Sequence, residues 1–254
     1  MVHVFVHGNP ESEAVWWPLA AALRERGIDD IVLLSPPGFG APVPAGWDGT
    51  YRAYRAWLIA QLEAMHKPIR QAIHLVGHDW GAGHVLGVVA ERPDLLTTWA
   101  TDCAGLIHPA YEWHDAAQQW QTPDVGEAAV AQMTGGSLAD KLAMLGSLGI
   151  TGDAATHMAT AMNETMARCV LSLYRSAVQP ALRQLGDQAE AAEQRPGLCV
   201  IATADHYTGT PDMARDSARR LAAQAFVLEG AGHWWMVQQP AAAADAFVAF
   251  WQQH

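Results

Sequence analysis

Charge is scarce in this chain of 254 residues: only 16% are Asp, Glu, Lys or Arg, while half are hydrophobic. It is also one-sided, with 26 acidic against 15 basic residues and a formal net charge of −11. Nucleic acids and anionic membranes are bound by basic surfaces that displace counterions, so neither is an expected partner. A small uncharged or weakly polar organic substrate is easier to accommodate. Cysteine is rare and odd in number. Cys103, Cys169 and Cys199 form no Cys-x-x-Cys pair, which argues against a disulfide framework and a thiolate metal site and suits a reducing compartment. No apolar run reaches the ~20 residues of a membrane span, and Met1 leads into an alternating strand rather than a basic leader, so a cytoplasmic location is expected. There is no internal repeat and no low-complexity tract. Nor is there a Gly-x-Ser-x-Gly, which leaves a serine nucleophile without an obvious candidate.

What is present alternates. Residues 2–8, VHVFVHG, predict a strand, 14–26 a helix, 31–34 (IVLL) a buried strand, and 51–66 a helix. A strand at 72–76, a helix at 82–91 and a strand at 97–103 follow. Short apolar strands alternating with helices predict a mostly parallel central sheet flanked by helices, an α/β fold with right-handed crossovers. From 106 to 192 the pattern is helical without a convincing strand, and alternation then resumes with strands at 198–203 and 225–228 and helices at 211–223 and 239–252. The expected organisation is therefore a core in two parts, 1–105 and 193–254, with a helical cap inserted at 106–192. Eleven tryptophans suit core packing, and those near the motifs below could line an apolar pocket.

Gly77-His78-Asp79-Trp80-Gly81 lies between a predicted strand and a predicted helix, the setting of a nucleophile elbow. Asp at the start of a helix could be merely an N-cap. The paired glycines of a sharp turn make it a candidate nucleophile, which the helix N-terminus would keep ionised. An ester formed on a carboxylate must be released by a base, and the base must be oriented by an acid. His233, in Gly230-Ala231-Gly232-His233, is the candidate base, and Asp205, at the end of the preceding strand, the candidate acid. Asp102 also ends a predicted strand and remains the alternative acid. These positions gather at the carboxyl ends of parallel strands. His7-Gly8-Asn9-Pro10 ends the first strand, placing the Asn9 and Trp80 N–H groups as a candidate oxyanion hole.

With these motifs in order, the chain resembles the aspartate-nucleophile branch of the α/β-hydrolases, which holds epoxide hydrolases and haloalkane dehalogenases. The resemblance spans nearly the whole chain. It implies an α/β-hydrolase fold with an inserted cap, no cofactor and no metal. Because the chain begins at the HGNP strand, the first strands usual in that fold are not expected. Tyr174-Arg175, near the end of the cap segment, resembles the epoxide-polarising tyrosine, a proton donor for the oxygen released by ring opening. Around the place where these enzymes carry a second cap tyrosine stand Tyr111, Trp113, His114, Trp120 and Gln121; with Trp234, Trp113, His114 and Trp120 are candidate pocket residues. Trp80 and the Asn9 amide resemble the halide-holding pair of one dehalogenase group, with Tyr174 expected across the site from Asn9. Trp80 occupies the place where fluoroacetate dehalogenases carry an arginine, which argues against a carboxylate substrate. The expected function is hydrolysis of an epoxide through a covalent ester. Haloalkane dehalogenation is the alternative, and a non-catalytic small-ligand-binding protein the reading of a different class.

Overall fold

The computed structural model describes residues 1–66 and 71–254. Runs such as VHVFV and IHLVG carry almost no polar relief, so both of their faces must be covered, and they take the middle of a sheet. β1 (Val2–Val6), β3 (Ile73–Gly77), β4 (Thr98–Thr101) and β5 (Gly197–Ala202) are buried along their whole length. β2 (Ile31–Leu34) and β6 (Gln224–Leu228) form the two edges and are partly exposed. The order is β2-β1-β3-β4-β5-β6, and every pairing is parallel. These six strands make up the sheet among the described residues.

The helices of the first half are α1 (Trp17–Arg24), α2 (Tyr51–His66) and α3 (Trp80–Glu91). The helix expected at 14–26 begins instead as a 3₁₀ turn, Glu13–Trp16, and α1 restarts where Pro18 fits the first helical turn. Between β4 and β5 run six helices and no strand: α4 (Asp115–Gln121), α5 (Val125–Gly135), α6 (Leu138–Ser147), α7 (Gly152–Ala161), α8 (Glu164–Ser176) and α9 (Ala181–Ala191). α10 (Pro211–Arg220), α11 (Trp235–Gln238) and α12 (Pro240–Trp251) complete the chain. α12 packs on α1, and α9 on α3, which also meets α2. The core includes Trp16, Trp99, Trp235, Tyr54, Phe5 and Phe247, all fully buried, so much of the tryptophan complement is core packing. Among the described residues no helix is long and apolar enough to cross a membrane.

This topology locates the site. After β1 the chain runs out to the edge strand β2, then returns to place β3 on the other side of β1. The carboxyl ends of β1 and β3 flank that switch point, where parallel sheets open a crevice.

Candidate active site

The turn from β3 into α3 is as tight as its glycines require. A methyl group on Gly77 would collide with the Gly81 carbonyl, and one on Gly81 with the Val6 carbonyl, so α3 is drawn against β1. Asp79 at the apex has φ of +52°, an uncommon conformation for a residue with a side chain, costing on the order of 1–3 kcal/mol. Its Oδ1 accepts a hydrogen bond from the Asn9 backbone N–H at 2.8 Å. The Trp80 N–H, in the first turn of α3, has no intrahelical acceptor. Burial pushes the Asp79 carboxyl up to about 6, with Glu11 adding to the rise and His233, His78 and the Asn9 N–H opposing it. At about 6 the carboxyl is still mostly ionised at neutral pH.

Asp79 Oδ2 faces His233 Nε2 at 3.7 Å. On its other side His233 donates from Nδ1 to Asp205 Oδ2 at 2.8 Å. Asp205 is itself held by the Tyr207 N–H at 2.8 Å and the Thr208 hydroxyl at 3.1 Å. Burial would raise the Asp205 carboxyl, but the charge and hydrogen bond of His233 and the Tyr207 N–H bring it down to about 2. Burial would likewise lower His233, and Asp205 more than compensates, so its basicity is raised.

Asp102 has a different partner. It accepts from Nδ1 of His78, from the Trp235 indole at 2.6 Å, from the Asp79 N–H at 3.2 Å and from the Cys103 thiol at 2.9 Å. His78, fully buried, donates its other nitrogen to Glu11 at 2.9 Å. Glu11 also accepts from the Trp234 indole at 2.7 Å and from the Gly8 N–H at 3.1 Å. Burial disfavours the imidazolium, yet the carboxylates on its two sides hold His78 well above its ordinary range. Glu11, which burial alone would raise, is drawn down to about 2 chiefly by His78. An imidazolium clamped between two carboxylates therefore lies behind Asp79, its ring 4.6 Å from that of His233. Motif reading missed it: His78 fills the unspecified position of the elbow, and Glu11 stands two residues beyond Asn9. Trp234, expected to line the pocket, donates its indole N–H to Glu11, and its ring lies 4.9 Å from that of His233. Three overlapping sets, Glu11–His78–His233, His78–Asp102–Cys103 and Cys103–Asp205–His233, bring ligand-type atoms within 4.8 Å of one another. Both nitrogens of His78 and Nδ1 of His233 already carry protons toward carboxylates, which makes these sets a hydrogen-bond network rather than a metal cage.

Tyr174, on α8, is buried near Asp79 among aromatic rings. Its ring centroid lies 5.2 Å from Trp80, 5.4 Å from Trp113 and 4.7 Å from Trp120. Burial and the charge of Asp79 hold its phenol well above the usual range, while the side chains of Asn9 and Trp80 favour the ionised form and oppose them. Tyr174 is thus beside Asn9 and Trp80, not across the site from Asn9. The Asn9 side chain is buried with neither its amide nitrogen nor its oxygen hydrogen-bonded among the described residues. His114 stands farther out, 5.2 Å from Tyr207, whose ring lies 5.1 Å from His233. The neighbouring Arg175 turns away: it pairs with Glu127 of α5 and donates to the carbonyls of Trp120 and Thr122, tying the α4–α5 turn to α8.

A family model described as "Alpha/beta hydrolase family" matches residues 4–246. A search of curated proteins finds no match. Among solved structures, the chain is similar to the haloalkane dehalogenase DbeA from Bradyrhizobium elkani USDA94, with 19% identity, a TM-score of 0.73 and coverage of 100% of this chain and 91% of that one. It is also similar to a thioesterase domain from the curacin biosynthetic pathway, with 16% identity, a TM-score of 0.71 and coverage of 98% and 90%. A serine hydrolase involved in carbazole degradation, CarC, aligns at 17% identity and a TM-score of 0.69, covering 100% and 92%. At such identities the likeness establishes the fold, and three different reactions are named on it.

Proposed function

The chain belongs to the alpha/beta hydrolase family, and from that premise we propose that it hydrolyses epoxides through an alkyl ester on Asp79. Asp79 Oδ1 is occupied by the Asn9 N–H, which leaves Oδ2 to attack. As Oδ2 bonds to the ring carbon, the carbon–oxygen bond breaks, its electron pair goes to the epoxide oxygen, and Tyr174 supplies the proton. His233, oriented by Asp205, then takes a proton from water, and the hydroxide adds to the ester carbonyl. Charge collects on Oδ1, which the Asn9 and Trp80 N–H groups stabilise. Collapse returns the carboxylate and a diol, and the proton on His233 restores Tyr174. In this reading the helices α4–α9 are the cap that carries Tyr174 and keeps water from the first step.

The observation that carries the choice of epoxide is a neutral phenol buried beside the nucleophile. An alkoxide needs a proton as it leaves; a halide does not. The second reading, haloalkane dehalogenation, is favoured by the unpartnered Asn9 amide next to Trp80. Turnover of styrene oxide and n-butyl bromide by wild type, Tyr174→Phe and Asn9→Ala separates the two. We expect epoxide turnover, lowered roughly 10²- to 10⁴-fold by Tyr174→Phe, the ordinary contribution of a positioned acid. Bromide release that survives Tyr174→Phe but drops roughly 10²- to 10³-fold in Asn9→Ala, the loss of one anion donor, would establish the dehalogenase instead.

A further inference from the structure

We infer that the indole N–H of Trp113 is a second hydrogen-bond donor to the bound substrate, sharing with Tyr174 the oxygen on which charge develops. The inference rests on the epoxide reading above and names a residue that reading does not require.

Ring opening leaves an oxygen with several lone pairs, and one phenol satisfies only one of them. Besides Asn9 and Trp80, which stand beside Tyr174, the segment leading into α4 and α4 itself offer further donors, several of which are already committed. The Tyr111 hydroxyl donates to the Tyr207 carbonyl at 2.9 Å. The Gln121 amide donates to the backbone carbonyl of Tyr174. His114 uses Nδ1 to accept the Ala117 N–H, which leaves its donor on Nε2, but its ring packs toward Tyr207, 5.2 Å away. Trp113 is different: it is 8% exposed, and its Nε1 is buried without a partner among the described residues. Its ring lies 5.7 Å from that of Trp80 and 5.4 Å from that of Tyr174, so it belongs to the group of rings over Asp79. Buried N–H groups are nearly always paired, because an orphan costs about 1–3 kcal/mol. A substrate oxygen held under Tyr174 removes that cost, and does so most strongly when the oxygen is charged. Trp16 and Trp47 also have indoles with no hydrogen-bond partner among the described residues. Trp47, however, packs on Tyr54 rather than on Trp80 or Tyr174, which makes it a control.

The test is the rate of the first step alone. In the His233→Ala background the ester accumulates, and its formation from styrene oxide is followed by intact-protein mass spectrometry. Trp113→Phe keeps an aromatic ring and removes only the N–H donor together with part of the indole. It should slow alkylation roughly 10²-fold, as expected for loss of one anion-stabilising donor. Trp47→Phe should leave the rate unchanged. A larger saturating concentration with an unchanged maximal rate would mean that Trp113 merely packs, and would overturn the inference. So would an unchanged rate in a folded variant, as judged by circular dichroism. If the His233→Ala parent itself forms no adduct, the nucleophile reading fails, and this inference with it; an active parent with an unaffected Trp113→Phe variant defeats this inference alone.

Discussion

Asp205 and Asp102 are buried carboxylates that follow the neighbouring strands β5 and β4, and sequence position alone left either able to orient His233. Their donors separate them. Asp205 receives His233, whereas Asp102 receives His78, Trp235 and Cys103. Asp205→Asn should therefore lower turnover by on the order of 10³- to 10⁴-fold, because the imidazole loses its orienting acid, with little change in melting temperature. Asp102→Asn should act first on the fold. It leaves a buried imidazolium short of one counter-charge, a loss of about 3–5 kcal/mol in urea unfolding. The reverse pattern, with activity lost only in the Asp102 variant, would hand the role to Asp102. Much of the candidate triad was legible because its residues sit in punctuated motifs, with glycines at 77, 81, 230 and 232. Glu11 and the inner histidine were not. Their significance is their pairing with each other and with Asp102, which spans 67 and 24 residues of chain and has no local pattern.

At the scale of elements, the strands and most helices of the core were readable because each answers one local demand. β2 at Ile31–Leu34 and α2 at Tyr51–His66 coincide with the expected ranges. α3 begins earlier than expected, at Trp80, because the elbow feeds straight into it. Helical periodicity between β4 and β5 announced helices but not their arrangement, which is set by contacts between them. Arg175 illustrates this. Its sequence neighbour Tyr174 suggested chemistry, whereas the guanidinium ties Glu127 and two backbone carbonyls of the α4–α5 turn to α8, and so holds Trp120 against Tyr174. Arg175→Ala should lower the melting temperature by a few degrees and raise KM more than it lowers kcat, since it loosens the roof without removing a reacting group. Loss of kcat at unchanged KM and melting temperature would place Arg175 in the chemistry instead.

The whole molecule sets the charge state of the site through the solvent it excludes. Burial holds the Asp79 carboxyl at about 6 against an ordinary 3.8. A raised folded-state value favours the folded protein at low pH, and that advantage is lost as pH rises through about 6. Keeping Asp79 ionised thus costs about 3 kcal/mol of stability above pH 6. Asp79→Asn, which tolerates the positive φ, should be more stable than wild type at pH 8 by about that amount, with the difference vanishing toward pH 4. A pH-independent difference in melting temperature would contradict the assignment. The central claim, that Asp79 is alkylated, is tested most directly by incubating the His233→Ala variant with styrene oxide, digesting it and weighing the peptide that carries Asp79. One adduct per chain is expected, heavier by the whole epoxide and fixed to Asp79, because the base serves only the step that removes it. Normal turnover by the variant, or an adduct on another residue, would contradict it.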